Sequence, residues 1–284
     1  MNGGSLHRLS AFTTTQEGGN PAGVWIGDRL PEPAAMQRIA REVGFSETAF
    51  LAPRSGTRRV TRYYSPEAEV PFCGHATIAA GVQLGALDGP GIYHFDTRAG
   101  DVVVEVGTSD GLPEAALTSV EPKHVPVSAD LLARALEALR WDAAELDPAI
   151  PPALAFAGAW HLVIAAATAE RLDRLAYDFA ALRAVMLEAD LTTVQLIRRE
   201  QPDVFHARNP FPVGGVVEDP ATGAAAAALG GYLRDAGLVE APASILIRQG
   251  EAMGRPSRLK VRIPPAGGIV VSGHAVPIVA PPTG

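Results

Sequence analysis

The stretch Glu67–Gly81, EAEVPFCGHATIAAG, sets the only cysteine of the chain two residues before a histidine, with a glycine between them. It lies at the start of an Ala/Gly-rich run with helical character. A thiol at a helix N-terminus is pushed toward the reactive thiolate. A histidine there can donate a hydrogen bond or relay a proton. Upstream, Glu47 in GFSETAF sits between Phe45 and Phe50 where a strand begins. Burial between those rings would raise its carboxyl toward neutrality and suit it to proton transfer. Each residue also has a plainer role open to it. Cys73 could be a small buried residue, His75 a helix cap, and Glu47 a solvent-facing carboxylate at a strand edge.

A second stretch, EDPATGAA, bears on the choice. Aligning Gly74 with Gly223, an offset of 149, pairs Glu69 with Glu218, Pro71 with Pro220, Ala76 with Ala225 and Gly81 with Gly230. An offset of 146 lays AMQRIAREVGFSETAFLA over ALRAVMLEADLTTVQLIR. Two matches in the same order point to an internal duplication. Each loop ends in Pro and then Gly before a helix, whose first amides lack internal partners and carry the positive end of the dipole. Paired in one cleft, they would cradle a carboxylate or an enolate-like charge. The ionisable groups are placed unequally: Glu47 faces Thr193, Cys73 faces Thr222, His75 faces Ala224 and Val70 faces Asp219. A site with one main acid/base is expected. Asp219 is otherwise a simple turn former before Pro220.

These groups need a scaffold, and 284 residues that are 47% hydrophobic can bury one. Strands are expected at LHRLSAF, AGVWIG, TAFLA, RRVTRYYS, GIYHFDT and DVVVEV, and again at ALAFAG, WHLVIAAA, TTVQLIR, DVFHAR, SILIRQG, RLKVRI and GIVVSGHAVPIV. Helices are expected near 33–43, with Pro33 in the first turn, near 75–87, near 178–189 and near 223–236. A further helix, SADLLARALEALRWDAAEL, is capped by Ser128. The two Ala/Gly helices are apolar on nearly every side and so belong inside something. The expected fold is α+β: two pseudo-symmetric half-barrels, residues 1–118 and 119–284, each a curled, mostly antiparallel sheet around a central helix. The last strand is free to pack back on the first half. A small-molecule site is expected in the cleft between the halves.

The net charge of −7 and the lack of a basic stripe argue against nucleic acid as a partner. One cysteine gives neither a disulfide framework nor metal-type spacing, and the other histidines show no ligand-like spacing, so no metal is expected. No apolar stretch suggests a signal peptide or a membrane span, and a cytoplasmic protein is expected. P-loop, GxGxxG, HExxH and GxSxG motifs are missing.

Taken in order, GNPAGV, SETAF, YYSPEAEVPFCGHAT and EDPATGAAAAALGGYL resemble the PhzF-like phenazine-biosynthesis isomerase family, which has the diaminopimelate-epimerase-like fold. The resemblance spans nearly the whole chain. It implies an isomerase without cofactors, commonly a homodimer, acting on a small carboxylate-bearing substrate. By motif, Glu47 is the acid/base, and His75 and Asp219 are its polar partners in handling the proton. The Gly74 and Gly223 loops cradle the substrate carboxylate, with Asn20, Ser46, Cys73, Thr222 and Ala224 lining the site. In the phenazine enzyme, the resemblance implies, a proton leaves one carbon of dihydro-hydroxyanthranilate and returns to another, and the enol product becomes a ketone. The sequence departs from the pattern at Ala224, where the family loop often carries Ser, and at Cys73, where the phenazine enzyme has no thiol but many relatives do. Two other readings stand beside this one: a Cys-assisted amino-acid racemase or epimerase of the same fold, and a non-catalytic binding protein.

Overall fold

A computed structural model describes residues 3–279; the outermost ends of the two expected halves lie outside the described residues. The elements, in chain order, begin with β1 (Gly4–Ala11), β2 (Asn20–Gly27), α1 (Pro33–Val43), β3 (Glu47–Ser55), β4 (Arg58–Tyr64) and β5 (Glu69–Val70). Next come α2 (Gly74–Asp88), β6 (Gly91–Thr97), β7 (Gly100–Ser109), β8 (Leu112–Thr118), β9 (Lys123–Pro126) and α3 (Ala129–Leu139). The chain continues through β10 (Ala153–Phe156), β11 (Trp160–Ala165), α4 (Ala169–Asp173), α5 (Phe179–Glu188), β12 (Thr193–Gln201), β13 (Val204–Phe211) and β14 (Val216–Asp219). It closes with α6 (Gly223–Asp235), β15 (Ala243–Gln249), β16 (Ser257–Ile263) and β17 (Val270–Pro277). Two compact units result: Met1–Thr118 with Ser272–Gly284, and Ser119–Val271.

In the first unit the pairings close a ring. β1 pairs with β2 and β17, β2 with β3, β3 with β4, β4 with β6, β6 with β7, β7 with β8, and β8 with β17. Only β2–β3 and β4–β6 are parallel, and each parallel step is bridged by a helix, as such a crossover requires. α2 runs through this ring, packed on β1, β2, β3, β7 and β8. That explains its composition: every residue from His75 to Val82 is buried, which an amphipathic sequence could not tolerate. The helix approaches the sheet so closely that a Cβ added at Gly81 would lie 2.8 Å from Val104 and 2.9 Å from Ala115. α1 covers the outside of the sheet, where Met36 and Ala40 pack on Trp25, Phe50 and Tyr64. It ends at Gly44, whose left-handed φ of 71° a residue with a Cβ would resist.

The second unit repeats the plan. β9, β10, β11, β12, β13, β15 and β16 pair in that order, with β11–β12 and β13–β15 parallel. α6, buried from Ala225 to Leu233, packs on β9, β10, β11 and β16. The duplication can be followed in the register. Phe50 faces Arg62 as Leu196 faces Arg208, and Tyr64 faces Glu69 as Pro210 faces Glu218. It extends to an ion pair: Arg62 Nε lies 3.5 Å from Glu69, and Arg208 Nη2 lies 2.6 Å from the buried Glu218. α3 is shorter than expected. Arg140 turns left-handed (φ 58°) and the chain continues as a short 3-10 turn at Ala143–Glu145, capped by Asp142. The Ser128 cap is in place, with its hydroxyl accepting Leu131 N–H at 3.2 Å. Among the described residues no helix is long and apolar enough to cross a membrane.

Candidate active site

Glu47 is the first residue of β3, and its neighbour across the parallel step is Ala22 of β2. Side chains alternate along a strand, so Glu47 and Ala49 face inward while Thr48 and Phe50 face the other way. Phe50 belongs to the cluster under α1. The expectation that Phe50 flanks Glu47 is therefore corrected: three residues apart on a strand, the two point to opposite faces. What Glu47 meets instead is the start of α2. The Cys73 thiol donates to Glu47 Oε2 at 3.5 Å and lies 3.4 Å from His75 Nδ1. His75 Nε2 lies 3.4 Å from the same Oε2 and 3.3 Å from Ser46 Oγ. The side chains of His75 and Glu47 are 7% and 17% exposed, so the carboxylate is shielded yet still reachable.

The base of this group is fixed from within the barrel. Thr77 donates its N–H (3.0 Å) and its hydroxyl (2.7 Å) to the Cys73 carbonyl, and Tyr63 Oη is 2.6 Å from Thr77 Oγ1. Burial pushes the Tyr63 phenol well above its usual range, so it stays neutral and serves as a hydrogen-bonding prop. The helix ends differ in a telling way. α3, α4 and α5 are each capped by a side chain, from Ser128, Thr168 and Asp178. α1, α2 and α6 have no side-chain cap, but at α1 Pro33 removes one of the first-turn donors, whereas α2 and α6 start on glycine. The amides at Gly74–His75 and Gly223–Ala224 are thus left for another acceptor at the positive end of the helix.

In the second unit Asp219 and Thr222 form a group of their own. Thr222 Oγ1 donates to Asp219 Oδ2 at 2.6 Å, and the buried Gln249 donates to the Asp219 carbonyl (2.7 Å) and to Thr222 Oγ1 (3.1 Å). Thr193 stands where Glu47 stands in the first unit. Its hydroxyl is 2.8 Å from His161 Nδ1 and accepts from Asn209 Nδ2 at 3.3 Å. His161 is fully buried, and desolvation pulls its pKa down to about 3, so the ring is neutral. His161 Nε2, Asn209 Oδ1 and both amide atoms of Gln195 have no hydrogen-bond partner among the described residues.

The structure thus brings Ser46, Glu47, Cys73 and His75 within hydrogen-bonding reach, and it joins Asp219 to Thr222 within the other unit. Gly74 and Gly223 are the first helical residues of α2 and α6, with Ala224 next to the latter. Asn20 is buried at the start of β2, two residues before Ala22 and on the same face. His161, Gln195, Asn209 and Gln249 were not singled out from the sequence. The offset of 146 carried a signal for two of them, because it sets Gln195 against Ala49 and Asn209 against Tyr63, polar groups at inward positions.

Residues 9–280 match the family described as phenazine biosynthesis-like protein. The chain belongs to the PhzC/PhzF family. It is 30% identical over 280 residues to an uncharacterized isomerase, YfhB, of Bacillus subtilis, covering 95% of this chain and 94% of that protein. To the trans-2,3-dihydro-3-hydroxyanthranilate isomerase of Pseudomonas fluorescens it is 32% identical over 252 residues, covering 88% of this chain and 86% of that one. The crystal structure of a Bacillus anthracis PhzF-family protein superposes with a TM-score of 0.85 at 23% identity, covering 96% of both chains. The protein is a PhzF-family isomerase with the epimerase-like fold. In this chain Glu47 comes from the SET stretch and His75 from the GHAT stretch, which Cys73 immediately precedes.

Proposed function

We propose that this isomerase moves a proton between two carbons of a small carboxylate-bearing substrate, with Glu47 as the single acid/base. The observation that carries this is the pairing of Glu47 with an uncapped helix start in the first unit, against a neutral Thr193 at the repeated position. One carrier removes a proton and returns it to another carbon; inverting a centre would call for a second carrier on the opposite face. In the forward step the carboxylate takes a proton from carbon, and the C–H electron pair passes into the adjoining π system as an enolate-like charge. The α2 amides and His75 are placed to stabilise that charge as it develops. Protonated Glu47 then delivers the same proton to the second carbon. Substrate and product have one formula, so the step is balanced without an electron donor, an acceptor or a cofactor. The identity with the hydroxyanthranilate isomerase supports a cyclic, dihydro-hydroxyanthranilate-like carboxylate as the substrate class. Asp219 and the Gly223 helix start belong to the same proposal as partners in proton handling and carboxylate binding. The deciding experiment is Glu47→Gln with hydrogen exchange followed by mass spectrometry: exchange and turnover should both collapse while substrate still binds.

One observation supports a second reading. The Cys73 thiol touches both Glu47 and His75, as the nucleophilic or proton-carrying thiol of an epimerase would. Under that reading Cys73→Ala, rather than Glu47→Gln, abolishes exchange.

A further inference from the structure

Glu47, Cys73 and His75 each offer one ligand atom within a single small volume. Their spacing is more specific than proximity. Zinc bonds to sulfur at about 2.3 Å, to imidazole nitrogen at about 2.0–2.1 Å and to carboxylate oxygen at about 2.0–2.2 Å. Tetrahedral angles then place S and O about 3.6 Å apart, S and N about 3.55 Å apart, and N and O about 3.4 Å apart. The structure has Sγ–Oε2 at 3.5 Å, Sγ–Nε2 at 3.8 Å and Nε2–Oε2 at 3.4 Å. Glu47 Oε2 thus stands at ligand spacing from both Sγ and Nε2. Sγ lies nearer Nδ1 (3.4 Å) than Nε2 (3.8 Å), so the imidazole must turn about its side-chain torsions to bring all three atoms onto one cation. A thiolate and a carboxylate together neutralise a dication, and the helix start favours the thiolate. Thr77 fixes the backbone carbonyl of Cys73, and Tyr63 in turn holds the Thr77 hydroxyl, so the main chain that carries the thiol is anchored. A sulfur donor selects a soft or borderline ion such as Zn²⁺ over Mg²⁺ or Ca²⁺.

From this geometry we infer that Glu47, Cys73 and His75 form a binding site for a thiophilic divalent cation of the Zn²⁺ class, with three protein ligands and an open fourth position. The cation is an inhibitor. It occupies the carboxylate that must accept the substrate proton, so the inhibitory consequence rests on Glu47 being the proton carrier. Cation binding itself does not depend on that role.

The probe is Co²⁺ added to the chelator-treated full-length protein. Binding should give a thiolate-to-cobalt charge-transfer band and tetrahedral visible bands that saturate at a single equivalent. Zn²⁺ should bleach them and Mg²⁺ should not. Cys73→Ser, close in size to the wild type, should lose the charge-transfer band, and Glu47→Gln should weaken Co²⁺ binding by more than about tenfold. His206 lies beside Glu200 and Glu251 on the surface, and His206→Asn should leave the spectrum unchanged. A test without variants uses the fact that Cys73 is the only thiol: Zn²⁺ should slow its alkylation, and chelator should restore the rate. In the exchange assay Zn²⁺ should inhibit and chelator should reverse the effect. The site is overturned by the lack of a charge-transfer band, by the same band in Cys73→Ser, or by alkylation that is indifferent to Zn²⁺. The failures are separable. An active Glu47→Gln enzyme would end the proton-carrier reading while the wild-type band stands, and a missing band beside an inactive Glu47→Gln would end the cation site alone.

Discussion

Glu47 accepts from the Cys73 thiol at the α2 start and lies 3.4 Å from His75 Nε2, so removing its basicity while keeping its shape isolates the chemistry. Glu47→Gln should lower turnover roughly 10²–10⁴-fold, the usual worth of general acid–base catalysis, with substrate affinity little changed. Cys73→Ala should cost much less, because the thiol shapes the wall. Steady-state kinetics of both variants would show the order, and near-normal turnover of Glu47→Gln beside an inactive Cys73→Ala would reverse the assignment. His161 supports a separate prediction on stability. It is neutral in the fold, with a pKa near 3, but in the unfolded chain it takes up a proton below about 6.5. Its stabilisation is therefore complete above about pH 6.5 and is lost as pH falls toward 3, amounting to about 2 kcal/mol by pH 5. His161→Asn should flatten the fall in unfolding free energy between pH 7 and pH 5 by that amount. Equal slopes in denaturant melts would show that the ring is hydrated in the native state. Glu47, Cys73, His75 and Asp219 stand out as candidates in the sequence because the two repeats place these groups unequally. His161, Gln195, Asn209 and Gln249 do not. They lie on four different strands, and only the sheet register decides which of their side chains turn inward. The same parity misplaced Phe50.

At the scale of elements, the two central helices were legible because nothing but burial on all sides explains an apolar run such as GHATIAAGVQLGA. Their closeness to the sheet was not, because it depends on which strand residues face them. At Gly81 the decision is between two effects. Alanine in a helix interior gains up to about 1 kcal/mol over glycine. Against that, the added methyl would sit 2.9 Å from Ala115 Cβ, which has no rotamer by which to escape, and overpacking costs typically about 1–3 kcal/mol. Gly81→Ala should therefore lower the urea midpoint. Gly230→Ala, whose nearest neighbours are the branched tips of Ile269 and Val261 at 3.0 Å, should lower it less. A Gly81→Ala protein more stable than the parent would mean that the strands move apart at little cost. β8, β9 and α4 escaped the sequence reading for a different reason. LPEAALT and KHVP lack the β-branched alternation of the other strands, and each is held as a strand by its partners. α3 ended early because Arg140 adopts the left-handed conformation, for which an arginine gives no cue.

At the scale of the whole molecule, the order of the chain and the order of the first unit disagree. Its ring is closed by β17, which is separated from β8 by the entire second unit in sequence. Leu9, Ser10 and Ala11 of β1 face Pro277, Val276 and Ala275, and the Phe12 N–H donates to the His274 carbonyl at 2.7 Å. Until β17 arrives, β1 and β8 both present open edges, and α2 lacks part of the wall that makes its all-apolar surface tolerable. A fragment of residues 1–118 should then fail to fold cooperatively, in spite of holding most of the unit and the Glu47, Cys73 and His75 cluster. The antiparallel register gives a direct rescue, because the end of β17 lies beside β1. A permuted fragment carrying residues 270–279 ahead of residue 3, through a flexible linker, closes the ring without the second unit. It should show a sharp thermal transition and protected amides along β1 and β8, whereas the fragment without the strand should show neither. A 1–118 fragment that melts cooperatively as a monomer would mean that seven strands suffice, and that β17 covers an edge the barrel does not need closed.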